Sequence, residues 1–395
     1  MRHLSALLLS GSLVCSAQTW QQLPDFPGTA RDDASAFTVG GKIYVGTGRE
    51  VGFGLTNDWY CYDPATSSWS AIASLPAIAR QYCSAFALGG KGYLVGGSVN
   101  GMASAEVWAY DPLVDSWEAQ VPLPEGMSAS TAFVIDEAAH LVTGNLSNDL
   151  PSTWHLRYTV DQGAWSMETY IPGNFIRLAA SFSHGGFGYV AGGADVVQSD
   201  QDDMWRYDPS NGAWDAVAPL PAGRSRGDAI EVADGGVFIG GNSTATVPTG
   251  YHDDVWHYIA LLDQWEAYPA FPPGPRGGAV IATLDGSIYY GTGSNTVDRY
   301  NDWWKLEMPV SVPEVPVHGS LTLGPVPADD RLTIRPSAIM DGTVQVFDTY
   351  GRILYSERMR GAEHVIPTEE WSEGTYLVTL RSAAATHTKR FTIHH

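Results

Sequence analysis

The chain has 395 residues, of which 16% are charged and 44% hydrophobic, with 43 glycines and 24 prolines. That balance excludes a disordered or coiled-coil chain, leaves room for two or three ordinary domains, and suits many short strands joined by tight turns. The formal net charge of −21 repels nucleic acid and anionic lipid, so neither is expected as a partner.

In chain order, Met1-Arg2-His3 leads into an apolar run from Leu4 to Val14 and then Cys15-Ser16-Ala17. A charged start, a short apolar core and a small-residue exit predict a signal peptide over 1–17, cleaved after Ala17. A lipoprotein signal through Cys15 is the alternative, although Val14 stands where such signals carry a small residue. No later stretch is apolar for long enough to span a membrane. After cleavage Cys61 and Cys83 remain, and in an exported chain they are either a disulfide or two buried thiols.

Residues 18–308 repeat. Trp20, Trp69, Trp117, Trp165, Trp214 and Trp265 follow one another at intervals of 49, 48, 48, 49 and 51 residues. Tyr62-Asp63-Pro64, Tyr110-Asp111-Pro112 and Tyr207-Asp208-Pro209 each lead into the next Trp. Each repeat also holds an apolar run that closes on glycine, such as Tyr93-Leu94-Val95-Gly96-Gly97 or Tyr189-Val190-Ala191-Gly192-Gly193. Such runs read as buried strands, the Asp-Pro pairs as turns, and the Trp as filler between neighbouring repeats. Paired glycines, an Asn/Asp-Asp before an aromatic, Tyr-Asp-Pro and then Trp together resemble the kelch repeat, whose period is about 50 residues. The resemblance implies an all-β, six-bladed β-propeller. Because Trp20–Leu23 matches the outermost strand of a blade, and 276–306 supplies only three inner strands, the N-terminal strand is expected to close the last blade.

Residues 309–319 form a Pro-rich linker. Beyond it, 320–395 shows alternating segments at Arg331–Arg335, Thr343–Phe347, Ile353–Met359, Tyr376–Arg381 and Lys389–Ile393. Turns are expected at Asp341-Gly342, Tyr350-Gly351 and Glu373-Gly374, so the segment reads as a small Ig-like β-sandwich. Gly324-Pro325-Val326-Pro327-Ala328, Val346–Arg352, Gly374–Val378 and the closing Lys389–Ile393 resemble the type A C-terminal sorting domain of the type IX secretion system of Bacteroidota. That resemblance implies export, with the secretion machinery as partner through residues 320–395, and a secreted or surface location. An ordinary accessory module is the alternative.

For a site, the basic residues are the most informative. Arg31, Arg80, Arg224 and Arg276 each stand 17 residues before the last glycine of the following run, with Met127 in the same place in the third repeat and Arg177 one residue out of phase. Arg226, two residues after Arg224, is expected on the same side of its strand. Arg31, Arg80, Arg224, Arg226 and Arg276 are therefore candidate ligand-binding residues at one mouth of the ring, able to fork onto a carboxylate, sulfate or phosphate. The alternative is that they bridge blades internally. The connections from second to third strand, from Arg49–Asn57 round to Ser294–Asp302, are expected on the same face. Asn57-Asp58, Asp202-Asp203, Asp253-Asp254 and Asn301-Asp302 recur once per repeat and read as turn caps, so no metal, no cofactor and no catalytic residue is assigned. The sequence reading is a monomeric exported binding protein for a glycan or a protein. An enzyme acting on a sugar acid, as the kelch-type sialate mutarotases do, is the rival, and an adhesive structural module is a third reading.

Overall fold

The computed structural model describes residues 19–173, 176–197, 199–243, 250–308, 321–326, 328–336, 340–348, 352–361, 363–382 and 386–394. The expected signal peptide and linker lie outside the described residues. Every regular element among the described residues is a strand or part of a turn.

Six four-stranded antiparallel sheets follow one another along the described chain, each a blade. Blade 1 is Ser35–Val39, Lys42–Gly46, Trp59–Asp63 and Ser68–Ile72. Blade 2 begins at Ser84–Leu88, blade 3 at Thr131–Ile135, blade 4 at Ala180–His184 and blade 5 at Asp228–Val232. Blade 6 takes Val280–Leu284, Ser287–Gly291 and Trp303–Glu307 from one end of the ring and Trp20–Leu23 from the other. Trp20 pairs with Leu306 and Leu23 with Trp303, so the N-terminal strand closes the ring, as the phase of the repeat predicts. The first strands of neighbouring blades touch in a closed cycle, which makes them the innermost strands.

The apolar pattern explains the stacking. The core is divided into one cluster for each pair of neighbouring blades. Trp117 of blade 2 lies 5.0 Å from Trp59 of blade 1, and Trp69 of blade 1 lies 5.4 Å from Trp303 of blade 6. The recurring Trp also reaches back by hydrogen bond. The indole Nε1 of Trp69, Trp117, Trp265 and Trp20 donates to the carbonyl of Pro24, Ala73, Ala218 and Pro269, just past the outer strand of the preceding blade. The Asp-Pro turns form as expected: Asp63, Asp111 and Asp208 each accept a hydrogen bond through Oδ1 from the amide two residues on. Cys61 and Cys83 are free thiols, and burial pushes Cys83 up to about 12.

In blade 3, His140 stands where blades 1, 2, 4 and 6 carry tyrosine and blade 5 Val237. Its Nδ1 lies 2.8 Å from Nε2 of His155, packed against Phe133 and Tyr207 of the wedge between blades 3 and 4. Burial lowers His140 to about 4 and His155 to about 3.

The C-terminal region has its own core. A three-stranded sheet of Leu321–Gly324, Arg331–Pro336 and His364–Pro367 packs on a four-stranded sheet of Ile353–Gly361, Met340–Phe347, Gly374–Ser382 and Thr386–Ile393. Leu332, Ile334, Val344, Val346, Val378 and Phe391 meet between them. The expected strands are present. Asp341-Gly342, expected as a turn, lies instead within Met340–Phe347, because Gly342 pairs with both Met359 and Ser382. Tyr350-Gly351 lies outside the described residues.

Two outcomes follow from these contacts. Trp20→Ala is expected to lower stability by about 2 kcal/mol in urea denaturation, less than a fully buried Trp because Trp20 is half-buried against Phe271 and Tyr290. The histidine pair should make stability pH-dependent. Both folded values lie below the unfolded value of about 6.5, so the unfolded chain binds more protons between them. Stability is full above pH 6.5 and falls as the pH drops towards 4, by up to about 1.4 kcal/mol per pH unit for each proton taken up. His155→Leu should flatten that slope in denaturation curves at pH 7 and pH 4.5.

Candidate functional site at the loop face

Three residues precede each blade's first strand in equivalent places, and each has a distinct task. The first is the recurring arginine. Arg31, Arg80, Arg224 and Arg276 are all buried, with at most 1% exposed. Each is closed by an acid at the start of the third strand of the blade it leads into. Arg31 forks onto Asp58 at 2.6 and 3.0 Å, Arg224 onto Asp254 at 2.5 and 3.1 Å, and Arg276 onto Asp302 at 2.6 and 3.1 Å. Arg80 pairs with Glu106. Nη1 of each also donates to the carbonyl at the end of the second strand: Thr47, Gly96, Gly240 or Thr292.

These four guanidiniums thus face an acid of their own blade rather than the mouth, and the expected ring of cations is internally neutralised. The recurring Asp expected to cap a turn is the partner that neutralises it. Tryptophan two residues on pins the acid a second time: Trp108 to Glu106, Trp256 to Asp254 and Trp304 to Asp302. Burial opposes ionisation of Asp254, but bonds from His252, Arg224 and Trp256 outweigh it and hold its carboxyl well below the usual range. Blades 3 and 4 fill the arginine's place with Met127 and Ile176, both buried.

The third place in each lead-in holds Asp33, Tyr82, Ala129, Leu178, Arg226 and Gly278, all with φ between 54° and 62°. Their backbones bond to one another around the axis. Asp33 N donates to Gly278 O, Tyr82 to Asp33, Ala129 to Tyr82, Leu178 to Ala129, Arg226 to Leu178, and Gly278 to Arg226, over 2.8–3.3 Å. The left-handed turn breaks the two-residue alternation, so Arg226 does not share the side taken by Arg224. It projects to the axis and crosses to blade 1, bonding Asp33 Oδ1 at 2.7 Å and Asp32 Oδ2 at 3.1 Å. Gly278 leaves the room: a Cβ there would stand 2.3 Å from Asp33 Oδ1 and 2.7 Å from Arg226 Nη2. Asp32 also accepts from Ser294 Oγ at 2.6 Å and Arg299 Nε at 2.9 Å. Around a cavity of about 110 Å³, Asp33, Tyr82, Arg226 and Asp228 meet. Burial pushes Asp228 well above the usual carboxylate range, with the Asp33 charge adding to it, and Asp33 is raised for the same first reason.

The middle place holds Asp32, Gln81, Ser128, Arg177, Ser225 and Gly277, and it faces the loops. There the lead-in pairs with the start of the second-to-third connection: Arg31–Asp32 with Arg49–Glu50, Met127–Ser128 with Asn145–Leu146, and Arg177 with Ala194. The connections therefore lie on this face, as the sequence predicts. Between blades 2, 3 and 4 they enclose a cavity of about 290 Å³, lined by Tyr82, Ser98, Ser128, Asn145, Asp149 and Arg177 among others. Of the arginines noticed in the sequence, Arg177 is the one the structure brings into this cavity. Its one-residue offset carries the signal, since a shift of one residue in an extended segment moves a side chain to the opposite face.

Blade 3 holds neither member of the arginine–acid pair, with Met127 and Trp154 in the two equivalent places, so the fold accommodates the loss of both together. Arg224→Met alone should cost about 3 kcal/mol, the low end for a broken buried pair because Asp254 is partly exposed and screened. Arg224→Met with Asp254→Thr should cost clearly less than the two single changes summed, in a double-mutant cycle read by chemical denaturation.

Residues 323–394 match the family of secretion system C-terminal sorting domains, and residues 79–124 match the Kelch motif. The kelch repeat protein M-T8 of Myxoma virus (strain Lausanne) is 26% identical over 225 residues, covering 55% of this chain and 42% of that protein. Alpha-scruin of Limulus polyphemus is 28% identical over 148 residues, covering 35% of this chain and 16% of that protein. The chain thus spans less than half the length of these curated relatives. The solved structure of YjhT superposes with a TM-score of 0.62 at 19% identity, covering 71% of this chain and 95% of that one, which shows a shared fold. Among the described residues no helix is long and apolar enough to cross a membrane. The sorting domain implies contact with the secretion system, secretion and a cell-surface location. The chain is a kelch-repeat β-propeller protein carrying a type IX secretion C-terminal sorting domain.

Proposed function

We propose that this chain is an exported binding protein whose propeller takes a hydroxyl-rich ligand, a glycan or part of one, in the loop-face cavity between blades 2, 3 and 4. The sorting domain supplies the address and the propeller the recognition. The signal peptide over 1–17 and the linker over 309–319 belong to the same reading. The observation that carries it is the contrast between two groups of polar side chains. The recurring arginines are tied to acids of their own blades and Arg226 to Asp32 and Asp33, whereas the 290 Å³ cavity is lined by hydroxyls, an amide, a carboxylate and a guanidinium beside one aromatic ring. A concave site with a few convergent polar groups is the usual form of a small-ligand pocket.

A second reading, an enzyme acting on a sugar acid, draws on Asp228. Burial raises its carboxyl well above the usual carboxylate range beside the axial cavity, which favours the protonated form that a proton donor needs. The two readings differ in turnover. In the full-length chain, sugars that bind should raise the melting temperature by mass action. Ser128→Trp, which fills the cavity, should remove that rise. Proton NMR of the same sugars should show no change in composition or in anomer exchange rate. Turnover abolished by Asp228→Asn would replace the binding reading with the enzymatic one.

A further inference from the structure

Among the described residues, Arg177 and Asn145 are the two side chains of the loop-face cavity with a buried polar atom left unmatched. The Arg177 backbone is fully engaged, its N–H donating to Ala194 O at 3.0 Å and its carbonyl accepting from Ala194 N at 2.9 Å. Its side chain makes neither an ion pair nor a hydrogen bond among the described residues, and its Nε is buried without an acceptor. This differs from the recurring arginines, each of which has an acid of its own. The middle position of the lead-in explains the difference. It turns the guanidinium to the cavity, away from the blade interior where the acids stand.

Asn145 is only 8% exposed and lines the same cavity. Its Nδ2 donates to Asp149 Oδ1 at 3.0 Å. A carboxylate only accepts, so this bond fixes the orientation of the amide and leaves Oδ1 as the free end. That oxygen is buried without a donor. The cavity thus offers an unused cationic donor, an unused buried acceptor and the Asp149 carboxylate, with Ser98, Ser128 and Tyr82 alongside.

We propose that this cavity is a site for a small hydroxylated anion, with the Arg177 guanidinium receiving the anionic group and Asn145 Oδ1 and Asp149 accepting from hydroxyls. The proposal rests on the loop-face binding reading and names the ligand's chemistry. A guanidinium presents parallel N–H donors that match the oxygens of a carboxylate or a sulfate ester. An acceptor such as Asn145 Oδ1 requires an O–H or N–H, which sulfate lacks and a sugar carries. The volume of about 290 Å³ is at the lower end of small-ligand pockets, about 300–1,000 Å³, and suits one sugar ring. In a protein of net charge −21, a cation that forms no ion pair is also a feature that favours the approach of an anion.

The test uses the full-length chain with glucose, glucuronate and N-acetylglucosamine 6-sulfate as probes, read by calorimetric titration and melting temperature. Glucuronate or the sulfated sugar should bind at least 10-fold more tightly than glucose, and the stronger of the two tells carboxylate from sulfate. Arg177→Gln should erase that preference while leaving the unliganded melting temperature unchanged. Asn145→Ala should weaken all sugars that bind. The preference of the unaltered chain for an acidic over a neutral sugar tests the proposal even where a variant folds poorly. Glucose binding as tightly as its acidic counterparts, or Arg177→Gln retaining the preference, overturns the anion site and leaves the binding reading intact. No binding by any of the three probes overturns both.

Discussion

The ring of six backbone hydrogen bonds around the axis is the constraint on which the rest of the propeller depends. Each bond is made by a residue held at positive φ, and five of the six are not glycine. Such residues cost backbone energy, and the closed ring of bonds offsets it. Because each bond joins neighbouring blades, the ring sets their spacing at the centre, while the aromatic wedges set it farther out. Closure by Trp20–Leu23 is then required: without that strand blade 6 keeps three strands, and the wedge that Trp20 makes with Phe271 is lost.

The same lead-in segment sends three successive side chains to three different surroundings by position alone. One side chain goes into the blade and is neutralised there, the next faces the loops, and the third lies on the axis. The buried arginine–acid pairs fasten the start of a blade to the end of its second strand and the start of its third. Blades 3 and 4 lack the arginine and use Met127 and Ile176 instead. The cavity between blades 2, 3 and 4 borders the places where that fastening is absent.

The blade count, the closing strand, the wedge tryptophans and the strands of the C-terminal region were legible because each rests on side-chain character repeated at fixed spacing. The arginine positions were legible too, but their task was not: deciding between a ligand and an internal acid requires knowing that Asp58, Asp254 and Asp302 fold back to the same point. The axial ring could not be read at all. Its members are Asp33, Tyr82, Ala129, Leu178, Arg226 and Gly278, which share no side-chain chemistry because the bonds are made by backbone. The crossing of Arg226 to Asp32 and Asp33 followed from that hidden turn. Asp341-Gly342 shows the converse limit, a turn-like pair held in a strand by partners on both sides.

The axial ring has one more consequence. Its N–H groups all point the same way around the circle, each towards the carbonyl of the preceding blade. Peptide dipoles arranged head to tail in a closed loop cancel, whereas those of a helix add along its axis and give its ends a fixed charge preference. The ring therefore adds no net polarity of its own to the mouth of this propeller. On the proposed binding reading, whether it draws an anion, a cation or a neutral sugar falls to side chains such as Arg177, Asn145 and Asp149, which can be exchanged without touching the ring.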